Sequence, residues 1–426
     1  MKKILIISAN PITDSSNNGK TMKAMFSNFN RENLAQLYFS QGEVPNYNIC
    51  CSYYHYTDSD LLRERFSFHK NSLDPSIGVS YDSVRHTNPI KGFEVLKTIF
   101  TTIPFLRSIF WCRAEYNSKI EDWSISFKPD LIFVYCGNQS KVFNFAIHLA
   151  KLNKIPIVPF FSDDYAFSPI GGINTYIQKK IILSKCKSLL KLAPFGFAIG
   201  QDMCSFYENK FKKKFYKFVN SVDFDDSVII DNGACISKDK INITFIGGLT
   251  IGRDRALVDF AKIITLAKLS QKVEINIFTT TKLNSKLKEE LEAHGVLIHK
   301  PVYGPQLQEV RHNADMMLHL ESSKPKNYSL AKYSVSTKIS EYLSSGKLTI
   351  CYGPSVVSSI KMFIEQNLGI VVDSLMSKQE QINTVIDCFA NLQRYANTPF
   401  EAYCYARENY DKKINANNFV SVLNSF

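Results

Sequence analysis

Residues 334–354 read SVSTKISEYLSSGKLTICYGP, and two periodicities meet in that one line. Ser336 or Thr337 suits a helix N-cap; Ile339, Tyr342 and Leu343 recur at helical spacing and form an apolar face; Gly346 is a stop. LTICYG then follows as an unbroken apolar run, the pattern of a strand covered on both faces. A helix that returns through glycine into such a strand is the repeating unit of a parallel sheet with helices on both sides.

The same unit recurs in both directions. Upstream, KILIIS (Lys3 to Ser8), LAQLYFS (Leu34 to Ser40), DLIFVYC (Asp130 to Cys136), IPIVPFF (Ile155 to Phe161), FGFAIG (Phe195 to Gly200) and FYKFVN (Phe215 to Asn220) read as strands. Helical patterns such as KVFNFAIHLAKL separate several of them. After the polar stretch DNGACISKDK the plan starts again with INITFIG, VEINIFT, GVLIHK, MMLHLE, LTICYG and GIVVDS. The expected fold class is α/β, with two Rossmann-like doubly wound domains facing an interdomain cleft. Their expected extents are residues 1–232 and 233–395, with 396–426 left over as a helical segment packing back across the first domain. Ligands of such sheets lie at the carboxyl ends of the strands, so the loops there carry the chemistry.

Composition narrows the class. A chain of 426 residues, 45% hydrophobic and 13% aromatic, can bury large cores. Its ten cysteines stand singly apart from Cys50 and Cys51, with no C-x-x-C, which suggests neither zinc nor a disulfide framework and points to a reduced, cytoplasmic chain. The first apolar run is too short for a signal peptide, and no segment approaches the ~18 to 20 apolar residues of a membrane span.

The net charge of +12 favours an anionic partner. Residues 85–113 combine aromatic and aliphatic content with five Lys or Arg and one acid, Glu94. They suit an anionic membrane surface, or else a pair of core helices broken at Pro104. KFKKKFYKF (Lys210 to Phe218) interleaves aromatics and lysines as a nucleic-acid site does, but a solvated helix end entering a buried strand accounts for it better, and no nucleic-acid partner is expected.

DSSNNGKT (residues 14–21) ends like a phosphate-binding P-loop. Asp14 occupies the place of the first glycine, where a carboxylate puts negative charge beside the phosphates, so a nucleotide hydrolase is disfavoured. Asn18 and Gly19 instead open a helix whose free amides can face a ligand phosphate or sugar.

In the opening stretch, Thr337, Lys338 and Glu341 are neighbours at three- and four-residue spacing. Lys338 and the amides suit phosphate oxygens, and Glu341 suits ribose hydroxyls. The alternative is an exposed helical ion pair contributing ~0.3 to 0.5 kcal/mol.

STKISEYLSSGKLTICYGP resembles the donor-nucleotide helix of the large family 4 of retaining glycosyltransferases with the GT-B fold, where S-x-K-x-x-E-Y-L-x-x-G-K precedes a strand. Other pieces are similar in the expected order. FIGGLTIGRDRALVDFAKII resembles the glycine loop opening the second domain, PIVPFFSDDY the acid-containing loop of the first, FAIGQDMCSFYENKFKKKFYKFVNSVD its closing segment, and ADMMLHLESS, with Asp315, the strand leading to the donor. Residues 43–128 match nothing in the family.

The resemblance implies a retaining, metal-independent transferase with no cofactor beyond a UDP- or GDP-type nucleotide-sugar donor. The implied donor residues are Asn18, Gly19, Gly247, Gly248, Arg253, Ser336, Thr337, Lys338 and Glu341; Asp163, Asp164 and Glu341 are the implied catalytic groups. An aspartate capping the following turn is the alternative for Asp163 or Asp164. The acceptor would be a saccharide or lipid-linked saccharide in bacterial surface polysaccharide synthesis, with the enzyme cytoplasmic or peripheral at the inner face of the membrane.

Two departures stand out. Tyr333 occupies the first position of the family's E-x7-E, with Glu321 the nearest acid before it. Gly248 replaces the first cation after the glycine, so Lys338 or Arg255 must supply that charge beside Arg253. A nucleotide-sugar epimerase on the same scaffold and a non-catalytic binding protein are the alternative functions.

Overall fold

The computed structural model describes residues 2–66, 76–77, 104–168, 173–224, 230 and 239–426; residues 85–103 of the basic aromatic segment lie outside them. The first sheet contains β1 (Ile4–Ser8), β2 (Leu34–Tyr38), β3 (Ser52–His55), β4 (Ser76–Ile77), β5 (Leu131–Cys136), β6 (Ile157–Phe161), β7 (Gly196–Ala198) and β8 (Phe215–Lys217). Their order is β4-β3-β2-β1-β5-β6-β7-β8, parallel except for β4, which pairs antiparallel with β3.

The second sheet contains β9 (Ile241–Ile246), β10 (Val273–Phe278), β11 (Val296–His299), β12 (Met316–Leu320), β13 (Leu348–Gly353) and β14 (Ile370–Asp373), all parallel, in the order β11-β10-β9-β12-β13-β14.

The apolar runs become the strands because both faces of each sheet are covered by helices. Every residue of β1, β2, β5, β6, β12 and β13 is buried. β3 and the two-residue β4 are concealed in the sequence: SYYH of β3 buries only its two tyrosines, so it shows no continuous apolar run.

The chain divides into two compact units, Met1–Phe218 with Asn415–Phe426, and Val219–Ile414. In the second, Ile243, Phe245, Ile275, Ile277 and Leu318 pack on Leu257, Phe260, Ala261 and Ile264 of the helix Arg253–Leu266. Each burial of an isoleucine, leucine or phenylalanine here contributes roughly 1.5 to 3 kcal/mol.

After residue 395 the chain forms the helices Thr398–Tyr410 and Lys412–Asn424. Ala402, Ala406 and Tyr410 of the former join the cluster of Ile339, Leu343 and Cys351 in the second unit. Phe419 of the latter belongs to the first unit, with ring centroids 5.4 Å from Phe26, 4.9 Å from Phe197 and 5.5 Å from Phe218. Aromatic pairs of this kind add about 0.5 to 1.5 kcal/mol beyond their burial.

Candidate donor site in the second unit

In an open parallel sheet the ligand crevice lies where the strand order reverses, because the connecting loops splay to opposite sides there. In the second sheet that point falls between β9 and β12, whose carboxyl ends lead into Gly247 and Glu321.

Gly247 has φ +147°, a conformation that side chains disfavour, and a Cβ there would lie 3.3 Å from Lys338 Cε. The lysine therefore lies directly against the glycine loop. Leu249 donates its amide to Thr281 Oγ1 at 2.9 Å, which pins the loop.

Lys338 belongs to the helix Thr337–Leu343, which Ser336 caps by accepting from the Lys338 amide at 3.3 Å. This helix is tied to β9 by Tyr342, whose buried hydroxyl donates to the Ile246 carbonyl at 3.0 Å and accepts from the Ile246 amide at 3.1 Å. Burial raises the pKa of that phenol, while the Arg311 and Arg253 guanidiniums nearby act in the opposite direction. It stays protonated and can donate.

Arg253 opens the helix Arg253–Leu266, and the residue before it, Gly252, has φ +79°. A Cβ on Gly252 would lie 2.1 Å from Asn327 Nδ2 and 2.5 Å from Ser322 Oγ, so only glycine lets the helix start this close to the loop after β12. Arg253 Nε donates to the Leu320 carbonyl at 3.0 Å, and one terminal nitrogen donates to Glu321 Oε1 at 3.0 Å and Oε2 at 3.2 Å. Glu321 itself is buried. Behind it stands His319, also buried, with Nε2 3.6 Å from Glu321 Oε1, beyond hydrogen-bond range. Burial holds the His319 pKa down at about 4, so the ring is neutral near pH 7.

Glu341 accepts from Lys338 Nζ at 3.2 Å and from Arg311 at 2.5 Å, both on Oε2. The helical ion pair anticipated from spacing is thus present, but it has a third member. Arg311 comes from the helix Pro305–Asn313, and nothing in the sequence pattern marks it. Three of the other residues named from the sequence have partners elsewhere. Arg255 pairs with Glu290 at 2.7 Å, so it is committed to a neighbouring helix. Asp315 accepts from the Asn242 amide at 2.8 Å, at the amino ends of β12 and β9. Tyr333 carries Lys332 over its ring. Gly248 has open space beside it, with Thr281 Oγ1 the nearest atom to a built Cβ at 3.8 Å.

In the first unit the strand order reverses between β1 and β5. Asn18 and Gly19 lie in the helix Asn17–Met25, capped by Ser16. Asn18 Oδ1 accepts from the Tyr135 hydroxyl of β5 at 3.1 Å, and a Cβ on Gly19 would lie 2.6 Å from Thr13. The P-loop likeness dissolves here, because Asp14 accepts from Lys23 at 2.6 Å and from Asn46 at 3.0 Å.

Asp163 accepts from Ser162 Oγ at 3.0 Å and bears on the Tyr135 and Tyr165 phenols. Asp164 is buried, accepting from the Phe167 amide and the Tyr207 hydroxyl, both at 3.0 Å, and burial raises its pKa. That is the turn-capping geometry. In the basic stretch, Lys213 donates to the Ala193 carbonyl at 2.6 Å, Lys214 pairs with Glu208 at 3.0 Å, and Phe215 and Phe218 are buried. A helix end runs into a strand there.

Among the described residues no group of three or more His, Cys, Asp or Glu could hold a metal ion, and no helix is long and apolar enough to cross a membrane.

No family model matches the chain, and no curated protein matches it either. Solved structures do. Anabaena HepE in complex with UDP is similar at 12% identity and a TM-score of 0.63, covering 100% of both chains. OtsA in its apo form is similar at 12% identity and 0.60, covering 99% of each. The α,α-trehalose-phosphate synthase (UDP-forming) of Burkholderia vietnamiensis is similar at 11% identity and 0.60, covering 100% of this chain and 97% of that one. At these identities the likeness shows the fold alone: this chain has the GT-B fold of glycosyltransferases, α/β with two Rossmann-like doubly wound sheets.

Proposed function

We propose that this protein is a glycosyltransferase that moves a sugar from a nucleotide-sugar, of UDP or GDP type, to a saccharide or lipid-linked saccharide. One observation carries the reading: at the reversal point of the second sheet, Lys338 lies against Gly247 while Arg253 is held by Glu321 at the start of the next helix. A departing nucleoside diphosphate gathers negative charge, and cations fixed beforehand stabilise that charge without reorganising. Lys338 and the outer edge of Arg253 take the phosphate oxygens, and Glu341 accepts from ribose hydroxyls. In the first unit, Asp163 is the carboxylate assigned to a sugar hydroxyl. The similar structures support the UDP form, since HepE was crystallised with UDP and with UDP-glucose.

Retention of configuration, independence of metal, a role in surface polysaccharide assembly and a place at the inner face of the cytoplasmic membrane belong to the same reading. They rest on the motif resemblance and the basic charge. A second reading, a binding protein without catalysis, draws on Tyr333 and Gly248 standing where the family carries Glu and a cation. Calorimetric titration with UDP, GDP, ADP and CMP, followed by an assay of donor consumption with a saccharide acceptor, separates the two. Selective nucleoside-diphosphate binding with turnover supports the transferase. Binding without turnover favours the second reading, and no binding removes both.

A further inference from the structure

The arrangement around Glu341 has an asymmetry that the donor reading does not require. Both of its cationic partners, Lys338 and Arg311, donate to Oε2; among the described residues Oε1 has no hydrogen-bond partner. The two cations differ in freedom. Lys338 sits one helical turn before Glu341, is about a third exposed, and runs its stem along Gly247. Arg311 is only 12% exposed and makes the shorter contact; its own Nε is buried without a partner. It is anchored by Leu307 and Val310 of its helix, which pack against Ile246, Ala314, Met317 and Tyr342. The exposed lysine is the exchangeable partner and the enclosed arginine the permanent one.

We propose that Arg311 is a positioning residue that holds Glu341 neutralised when Lys338 leaves it for a ligand diphosphate, a role that rests on the donor reading of this site. A lysine shared between a carboxylate and an incoming anion must abandon one to serve the other. If Glu341 had no other cation, drawing Lys338 away would leave a half-buried carboxylate unpaired beside the phosphates, and anion binding would be opposed. Arg311 removes that cost by remaining on Oε2. The unpaired Oε1 stays available to accept from a vicinal diol. Lys338 then turns a short way from Glu341 toward the glycine loop that its stem already touches.

The test is calorimetric, with inorganic pyrophosphate and UDP as separate probes, on Arg311→Gln, Arg311→Lys, Glu341→Gln and the double variant Arg311→Gln/Glu341→Gln. Arg311→Gln should weaken both probes about tenfold, the scale of coupling expected between groups in direct contact. Arg311→Lys keeps the charge and should stay within about threefold of wild type. In the double variant no carboxylate remains to hold Lys338, so pyrophosphate affinity should return to the wild-type range while UDP remains weak for want of its ribose acceptor.

A purely structural loss would not be repaired by a second substitution. If the double variant binds pyrophosphate no better than Arg311→Gln, or if Arg311→Lys is as weak as Arg311→Gln, the proposal is overturned. Wild-type protein that binds pyrophosphate but no nucleoside diphosphate overturns the donor reading, with the Arg311 role then decided on pyrophosphate alone. Wild-type protein that binds neither overturns both.

Discussion

The hydroxyl of Tyr342 closes a two-way bridge with one residue of another element, donating to the carbonyl of Ile246 at 3.0 Å and accepting from its amide at 3.1 Å. Ile246 ends β9, and Tyr342 follows Glu341 directly on the short helix. The bridge thus sets how far Lys338 and Glu341 stand from the glycine loop. Tyr342→Phe keeps the ring and leaves a buried amide and carbonyl unpaired. Denaturant unfolding should show a loss of about 1 to 3 kcal/mol, together with weaker UDP binding. An unchanged midpoint and unchanged affinity would remove the bridge from the account.

The pair Arg253 and Glu321 is unequal in burial, with side-chain exposures of 21% and 5%. Removing the arginine strands a buried carboxylate, whereas removing the carboxylate lets the arginine turn outward. Arg253→Ala should therefore cost more stability, about 3 to 5 kcal/mol, than Glu321→Gln, at about 1 to 3 kcal/mol. The combination Arg253→Gln/Glu321→Gln should recover part of the larger loss. The reverse ranking in urea unfolding would show that Glu321 is not the dependent partner.

His319 is buried neutral, with its pKa held at about 4 against an ordinary value of 6.5. Between those values the unfolded chain binds a proton that the folded one refuses, so stability falls as pH drops from about 6.5 to 4. At ~1.4 kcal/mol per unit the loss attributable to this ring approaches about 3 kcal/mol. Unfolding curves across that range should be shallower for His319→Gln than for wild type. Parallel curves would locate the acid sensitivity elsewhere.

Two lysines have competing claims on a nucleotide phosphate. Lys20 stands at the P-loop-like position and Lys338 beside Gly247. Lys338→Ala should reduce UDP affinity by about tenfold or more through loss of a charge-assisted contact. Lys20→Ala and Asp14→Ala should stay within about twofold, as expected of surface positions. Thermal-shift titration reads the three side by side, and a larger effect at Lys20 would return the first unit to consideration as the phosphate site.

Local sequence carries much of this architecture. Strands buried on both faces, such as Leu131–Cys136 and Leu348–Gly353, carry no polar alternation, so composition alone marks them. Ser336 and Gly346 bracket the short helix because capping and left-handed closure are local requirements. β3 leaves no such mark, because a strand that buries only two tyrosines carries too short an apolar run to stand out. Asp164 accepts from the Phe167 amide, a partner three residues on that a local pattern can offer, and from Tyr207, a partner 43 residues away that it cannot.

What the amino-acid order determined by itself was the alternation of helix and strand, the two doubly wound sheets, and the presence of Gly247, Arg253, Lys338 and Glu341 near strand ends. Periodicity, caps and turns depend on neighbours a few residues apart. Tertiary structure alone decided which charges are spent on one another: that Glu321 takes Arg253, that Arg311 joins Glu341, and that Arg255 turns to Glu290 instead. The first two pairings arise because β9 lies beside β12 and Tyr342 draws the short helix onto β9, and separations of 30 to 96 residues along the chain leave no trace in any local pattern.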